Sequence, residues 1–216
     1  MKYTAILLIL SALLLACSSD KSTFDTNEKS RVNFSGKIVY EYSFKETKSV
    51  KDMTKQMSSL LGMQQHYFVN SGNYKALDEN GEFKQLYNSV DNKYYFPNPN
   101  TNKIMEIDAS LQMSEIVSVK EAEGTETILG RICKKVVVVT KTDETTYFYN
   151  SEIAVDPSKF SKHLFGGWST YLEATNGALP LKYVVKNDNY TWTSTAIEIT
   201  PTEIPEEEFV LENILR

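Results

Sequence analysis

Two cysteines, two histidines and three adjacent glutamates are the residues of this 216-residue chain best suited to chemistry, and their spacing gives most of it to one of them. Cys17 closes the stretch Leu14-Leu15-Ala16-Cys17, small and apolar residues ahead of a thiol at the end of a hydrophobic run, and reads as a lipobox. A thiol there takes a diacylglyceryl thioether, and cleavage before Cys17 frees an amine for further acylation. Lys2 is the charged start of the leader and residues 5–15 its apolar core, about 11 residues where a bilayer span needs about 20. Two or three acyl chains anchor a protein stably where one is marginal. The alternative is an ordinary secretory peptide that happens to carry a cysteine near its cut.

The other candidates are poorer. Cys133 stands on an apolar stretch, where a lone cysteine is either a small buried hydrophobe or a reactive or intermolecularly paired thiol. His66 and His163 have no partner His, Cys or Asp at metal-ligand spacing, so no metal site is expected. Glu206-Glu207-Glu208 reads as a solvated face, with a divalent ion as the alternative. Nucleophile elbow, phosphate-binding glycine loop, zinc-hydrolase helix and kinase signature are all missing, so neither catalysis nor a cofactor is expected.

Removing residues 1–16 leaves 200, enough for one domain with a real core, and takes the formal charge from −5 to −6. An acidic chain with scattered lysines argues against nucleic acid as a partner. With Cys17 consumed by lipid, Cys133 has no intramolecular partner, and stability must come from packing and backbone pairing. Tyr 13 and Phe 10 against Gly 9 and Pro 6 favour strands over helices.

Elements able to position a site follow in order. Residues 17–32 form the lipidated N-terminus and a flexible polar tether, and residues 33–216 the domain. Gly36 to Lys45 alternates apolar and polar residues, broken only by Val39, and predicts a half-buried strand. Lys48 to Leu61 predicts an amphipathic helix capped at Gly62. Short strands over 66–69, 74–77, 83–87, 94–96 and 103–107, divided by Asn and Gly turns, read as a meander. Leu111 to Val119 fits neither period well and is read as a helical turn leading into a strand. Thr127 to Lys135 runs into Val136-Val137-Val138-Val139, which suggests a central strand buried on both faces. A strand over 145–155 follows, then a short helix from an Asp156-Pro157 cap to Phe165, then a hairpin around Asn187-Asp188-Asn189.

This order of elements, together with Thr127-Ile128-Leu129-Gly130 to Cys133-Lys134-Lys135 and the ending Leu179-Pro180-Leu181-Lys182 with Ile204 and Phe209, resembles the LolA-like superfamily, which includes lipoprotein carriers, LolB and LppX. Within it, the closest likeness is to envelope lipoproteins that carry the glycine-to-cysteine element. The resemblance covers most of residues 35–213. It implies a mainly β, α+β fold: a curved antiparallel sheet forming an incomplete β-barrel, with one or two helices packed in its concave face and an apolar cavity that well-studied members use for acyl chains. The chain departs from soluble carriers in having its own anchor, which favours a fixed holder. No arginine aligns with a carrier's cargo-gating residue.

The candidate cavity residues are Met53, Met57, Leu60 and Leu61 on the helix, opposed by Tyr40, Tyr42 and Phe44 on the first strand. Methionine adapts to varied apolar guests. The same stripe also suits a plain helix–sheet core. Two functions follow as expectations. One is an envelope lipoprotein, attached through Cys17 to the outer membrane and facing the periplasm, that holds a lipid or acylated molecule without catalysis. The other is an interaction or scaffold protein whose core is filled by its own side chains. Ser18, in place of aspartate after Cys17, is the basis for the outer-membrane assignment.

Overall fold

The alternation in the first strand becomes two faces: in β1 (Gly36–Glu46), Ile38, Tyr40 and Tyr42 are buried while Glu41, Ser43 and Lys45 are exposed. The structure, a computed structural model, describes residues 33–46, 53–101 and 103–215. The leader, Cys17, the tether and residues 48–52 of the expected helix lie outside the described residues. After β1 come helix α1 (Met53–Leu61), then β2 (Gln64–Val69), β3 (Tyr74–Asp78), β4 (Phe83–Asn88), β5 (Lys93–Pro97) and β6 (Ile104–Asp108). β7 (Ile116–Ile128), β8 (Arg131–Thr140) and β9 (Glu144–Ala154) follow. Two 3₁₀ turns, Pro157–Phe160 and Phe165–Gly167, lead into helix α2 (Trp168–Ala174). The sheet is completed by β10 (Ala178–Lys186) and β11 (Tyr190–Pro201), and the chain continues through a 3₁₀ turn, Glu206–Phe209, to α3 (Leu211–Ile214). None of the described helices is long and apolar enough to cross a membrane.

The eleven strands of the described residues form one antiparallel sheet in the order β6-β5-β4-β3-β2-β1-β11-β10-β9-β8-β7. Its two edges, β6 and β7, are consecutive in the chain and joined only by residues 109–115. Laid flat, ten strand spacings of about 4.8 Å would put those edges about 48 Å apart, whereas the connection spans at most about 28 Å. The sheet therefore has to curl, and the pair that stays unformed makes it an incomplete barrel. Register shifts at Val39/Tyr40, Ala122/Glu126 and around Pro180 supply local bends.

The connection between the edges also explains one departure from expectation. Residues 111–115 contain no helical turn, because they are stretched between β6 and β7. A second correction concerns the element from Thr127 to Val139, which is two strands. Leu129 and Gly130 turn the chain with φ of 49° and 74°, the positive pair that a two-residue hairpin requires. The valine run is not buried on both faces: Val136 and Val138 are buried, while Val137 and Val139 are half-buried.

The closed end of the barrel is built from the segment after β9. Asp156 caps its first turn by accepting from the Ser158 N–H at 2.9 Å, with Pro157 at the first position, as expected. The expected helix up to Phe165 is only the single turn to Phe160. The N–H groups of Leu164 and Phe165 then donate to the Ala109 carbonyl at 2.8 and 2.9 Å, tying this segment to the edge connection. Helix α2 lies across the concave face: Trp168 meets Tyr74 of β3 edge-on at 6.1 Å, and Tyr171 meets Tyr147 of β9 at 4.2 Å. Tyr171 and Leu172 are fully buried, each contributing about 1.5–3 kcal/mol by leaving water. On the outer face, Lys135 and Lys182 cover the Phe148 ring at 5.6 and 5.0 Å. Of the three-glutamate run, Glu206 accepts from Asn73 Nδ2 at 2.6 Å and Glu208 pairs with Lys75 at 2.7 Å.

Candidate ligand cavity

Inside the curl the inward strand positions do not meet. They leave a cavity of about 830 Å³, open at the end of the barrel where β1 finishes and β11 begins. That volume falls within the range of small-ligand pockets, about 300–1,000 Å³. The period of two places Tyr40 and Tyr42 of β1, Tyr147 of β9 and Tyr183 of β10 on one wall. Tyr67, Tyr74 and Tyr94, from β2, β3 and β5, form the other.

The floor is made by His163 and the residues that follow it. The His163 ring stacks on Tyr87 at 4.1 Å, and Nε2 shares a hydrogen bond with the Tyr74 hydroxyl at 2.6 Å. Burial pushes the imidazole down to about 3, so it is neutral at physiological pH. Phe165 leans on Tyr94 at 4.8 Å, and Trp168 completes the floor. Nearer the mouth, Trp192 stands edge-on to Tyr42 at 5.3 Å and to Tyr183 at 5.2 Å.

The wall also carries polar side chains, among them Gln65, Lys84, Gln85, Asp143 and Thr145, and several of its tyrosine hydroxyls are engaged within it. The Tyr40 hydroxyl donates to the Pro180 carbonyl at 2.7 Å, and that of Tyr94 to Gln85 Oε1 at 2.6 Å. Burial, with the neighbouring Tyr183 adding to it, raises the Tyr40 and Tyr42 hydroxyls well above the usual phenol range. Tyr183 itself is pushed up to about 12, chiefly by burial. All three stay neutral. Among the described residues, four buried polar atoms of cavity residues have no hydrogen-bond partner: Tyr67 Oη, His163 Nδ1, Trp168 Nε1 and Trp192 Nε1. Among the described residues, no group of three His, Cys, Asp or Glu is arranged to hold a metal ion.

Of the residues singled out from sequence, Tyr40, Tyr42, Leu60 and Leu61 line this cavity. Phe44 sits behind it, stacked on Trp192 at 6.2 Å, and Met57 is half-buried on α1 but not in the lining. Met53 opens α1, and its side chain lies outside the description. Helix α1 is thus at the mouth and not in the depth of the barrel, where α2 lies instead. Its C-terminus is held by Gly62, at φ 78°, whose N–H donates to the Ser58 carbonyl at 2.9 Å. Sequence reasoning missed the floor, residues 163–168. The available signal was aromatic density around a glycine pair: His163, Phe165 and Trp168 about Gly166-Gly167.

No family model matches the chain, and no curated protein matches it in sequence. Among solved structures, PNGF-II aligns with 81% of this chain at 17% identity and a TM-score of 0.46, and the chain spans only 29% of PNGF-II. The LolA superfamily protein NE2245 from Nitrosomonas europaea aligns over 84% of this chain and 92% of its own, at 6% identity and a TM-score of 0.42. A putative outer membrane lipoprotein-sorting protein domain from Vibrio parahaemolyticus aligns over the same shares at 7% identity and 0.35. LolA-superfamily structures are therefore among those this chain resembles.

Proposed function

We propose that this protein is a bacterial envelope lipoprotein, anchored through Cys17 to the outer membrane, that holds a lipid or other acylated molecule in the half-barrel cavity and performs no chemistry on it. The observation carrying this reading is the unfilled cavity of about 830 Å³ with a predominantly apolar wall and an open mouth. A scaffold protein with a self-filled core has no need of such a space, since interiors normally pack with few voids larger than a water molecule.

Two experiments test the two halves of the reading. Radiolabelled palmitate supplied to producing cells should enter the protein and should fail to enter the Cys17→Ala variant. Equal labelling of both would refute the anchor. For the cavity, a fluorescent acyl probe should bind the non-lipidated Cys17→Ala chain saturably. Val185, half-buried in the cavity wall on β10, is the place to block it. Val185→Trp should weaken binding at least tenfold while far-UV circular dichroism stays unchanged. Unaltered probe affinity in that variant would remove the cavity as the site.

A further inference from the structure

Three strands enter the barrel from its open end with the same two-step pattern: Gln65 then Tyr67 on β2, Gln85 then Tyr87 on β4, and Thr145 then Tyr147 on β9. Because β1 runs towards the mouth, antiparallel pairing makes all three of these strands start there. Residues two apart share a face. In each strand, then, the inward position nearer the mouth is an amide or a hydroxyl, and the next one in is a tyrosine. Thr140, at the mouth end of β8 and one inward step beyond Val138, continues the polar rim. Leu60, Leu61 and Val185 keep the rest of the rim apolar. The cavity is graded along its axis, with hydrogen-bonding groups at one side of the mouth and aromatic rings below them.

These rim groups are open to a guest. Gln65, Gln85 and Thr140 are all part-exposed. Gln85 Oε1 accepts from the Tyr94 hydroxyl at 2.6 Å, which leaves the two Nε2 protons of that amide to donate elsewhere.

Charge at the rim is already committed. Lys84 and Asp143 are the charged residues of the lining, one of each sign, and His163 in the floor is neutral. Lys84 Nζ lies 2.9 Å from Asp78 Oδ2 and 3.4 Å from Glu82 Oε2, and Asp143 Oδ2 accepts from Thr142 Oγ1 at 2.8 Å. An anionic head would meet no unspent cation here, and an ammonium head would compete with an existing hydrogen bond. Either would shed water for little return. An uncharged hydroxyl both donates and accepts, as a glutamine amide does, so it exchanges water for the rim at small cost.

We propose that the cavity takes an amphiphile tail-first and selects one with an uncharged, hydroxyl-bearing head, held at the rim by Gln65 and Gln85; this rests on the binding reading above and names the head that the site accepts. The tail lies among the tyrosines, and the head stays at the mouth.

The test loads the non-lipidated Cys17→Ala chain with N-phenyl-1-naphthylamine, an uncharged apolar fluorophore, and displaces it at pH 7.5 with 1-monolaurin, dodecyl phosphate or dodecylamine, each below its critical micelle concentration. The three competitors share a twelve-carbon tail and differ in head charge. Monolaurin is expected to bind at least about tenfold tighter than either charged competitor. Gln65→Lys, which puts a free cation at the rim, should reverse the order of monolaurin and dodecyl phosphate and leave the fluorophore's own affinity within about twofold. Dodecyl phosphate or dodecylamine binding as tightly as monolaurin to the Cys17→Ala chain would overturn the uncharged-head assignment and leave the holder reading standing, as would displacement by none of the three from a chain that binds the fluorophore. A monolaurin preference undiminished in a Gln65→Lys chain that still binds the fluorophore would overturn the placement of the head at this rim. Failure of the Cys17→Ala chain to bind either the fluorophore or any amphiphile, the latter read by calorimetry, would overturn this inference and the holder reading together.

Discussion

His163 gives the sharpest prediction, because its surroundings fix both sign and size. In the folded protein this residue is 1% exposed, its ring stacked on aromatic neighbours, with a tyrosine hydroxyl on Nε2 and, among the described residues, no partner on Nδ1. Burial holds it near a pKa of about 3, against 6.5 for a free imidazole. The folded-state value is depressed, so on acidification the unfolded chain takes up a proton that the folded chain refuses. The stability contribution is fully present above about pH 6.5 and is lost as pH falls from there towards 3. Between pH 7.5 and 5.0 this single group should cost about 2 kcal/mol, from about 1.4 kcal/mol per pH unit over the interval below 6.5. The assay is urea unfolding of the wild type and of His163→Gln at both pH values, comparing the pH-dependent difference within each protein. Carboxylates titrate mostly below this window and cancel in the comparison. His163→Gln should be less stable at pH 7.5 and should lose about 2 kcal/mol less on acidification. Equal losses in the two proteins would show that His163 is not sealed neutral beneath the cavity, and the description of the floor would fail with it.

Three further outcomes follow from the same packing. Gly177 and Gly130 both have positive φ, 79° and 74°, but an added Cβ at Gly177 would lie 2.1 Å from the Val155 carbonyl oxygen, while at Gly130 it meets nothing within 4 Å. Gly130→Ala should therefore cost about 1–2 kcal/mol for the left-handed backbone alone, and Gly177→Ala at least about 3 kcal/mol more, with loss of α2 docking, by denaturant unfolding. In the Cys17→Ala background the single thiol, Cys133, is fully buried and raised above the usual thiol range chiefly by that burial, so a disulfide reagent at pH 8 should label the folded protein at least a hundredfold more slowly than the unfolded one. Removing Lys75's ammonium by Lys75→Met should release the Glu208 carboxylate and loosen the C-terminal turn, seen as faster amide exchange at residues 206–211, with the cavity's probe affinity unchanged.

Much of the sheet was legible because short-range chemistry specified it. The alternation of Ile38, Tyr40 and Tyr42, the Asp156-Pro157 cap and the Asn187-Asp188-Asn189 turn all carry their physical reason within a few residues. The hairpin at Leu129-Gly130 was hidden because a leucine at positive φ runs against its own preference, and tight strand pairing on either side imposes it. Helix α2 was hidden for a related reason. Trp168-Ser169-Thr170-Tyr171 is a poor helix former by propensity, and what holds it helical is burial of Trp168 and Tyr171 against strands distant in sequence. For the site, Tyr40, Tyr42, Leu60 and Leu61 were found because strand and helix faces follow from periodicity. Tyr183, Trp192 and His163 were not, since which inward faces share one space depends on how far the sheet curls. That curl is set by the short connection from β6 to β7, and no local pattern encodes it.

The most direct test of the central claim is native mass spectrometry of the non-lipidated Cys17→Ala chain, purified from its own cells without detergent, followed by organic extraction. A reproducible apolar adduct, displaced by an acyl or ring-bearing competitor and missing from Val185→Trp, is the expected result. A clean apo mass, together with no saturable binding of an added acyl or ring-bearing probe, would contradict the account and leave a cavity without an occupant.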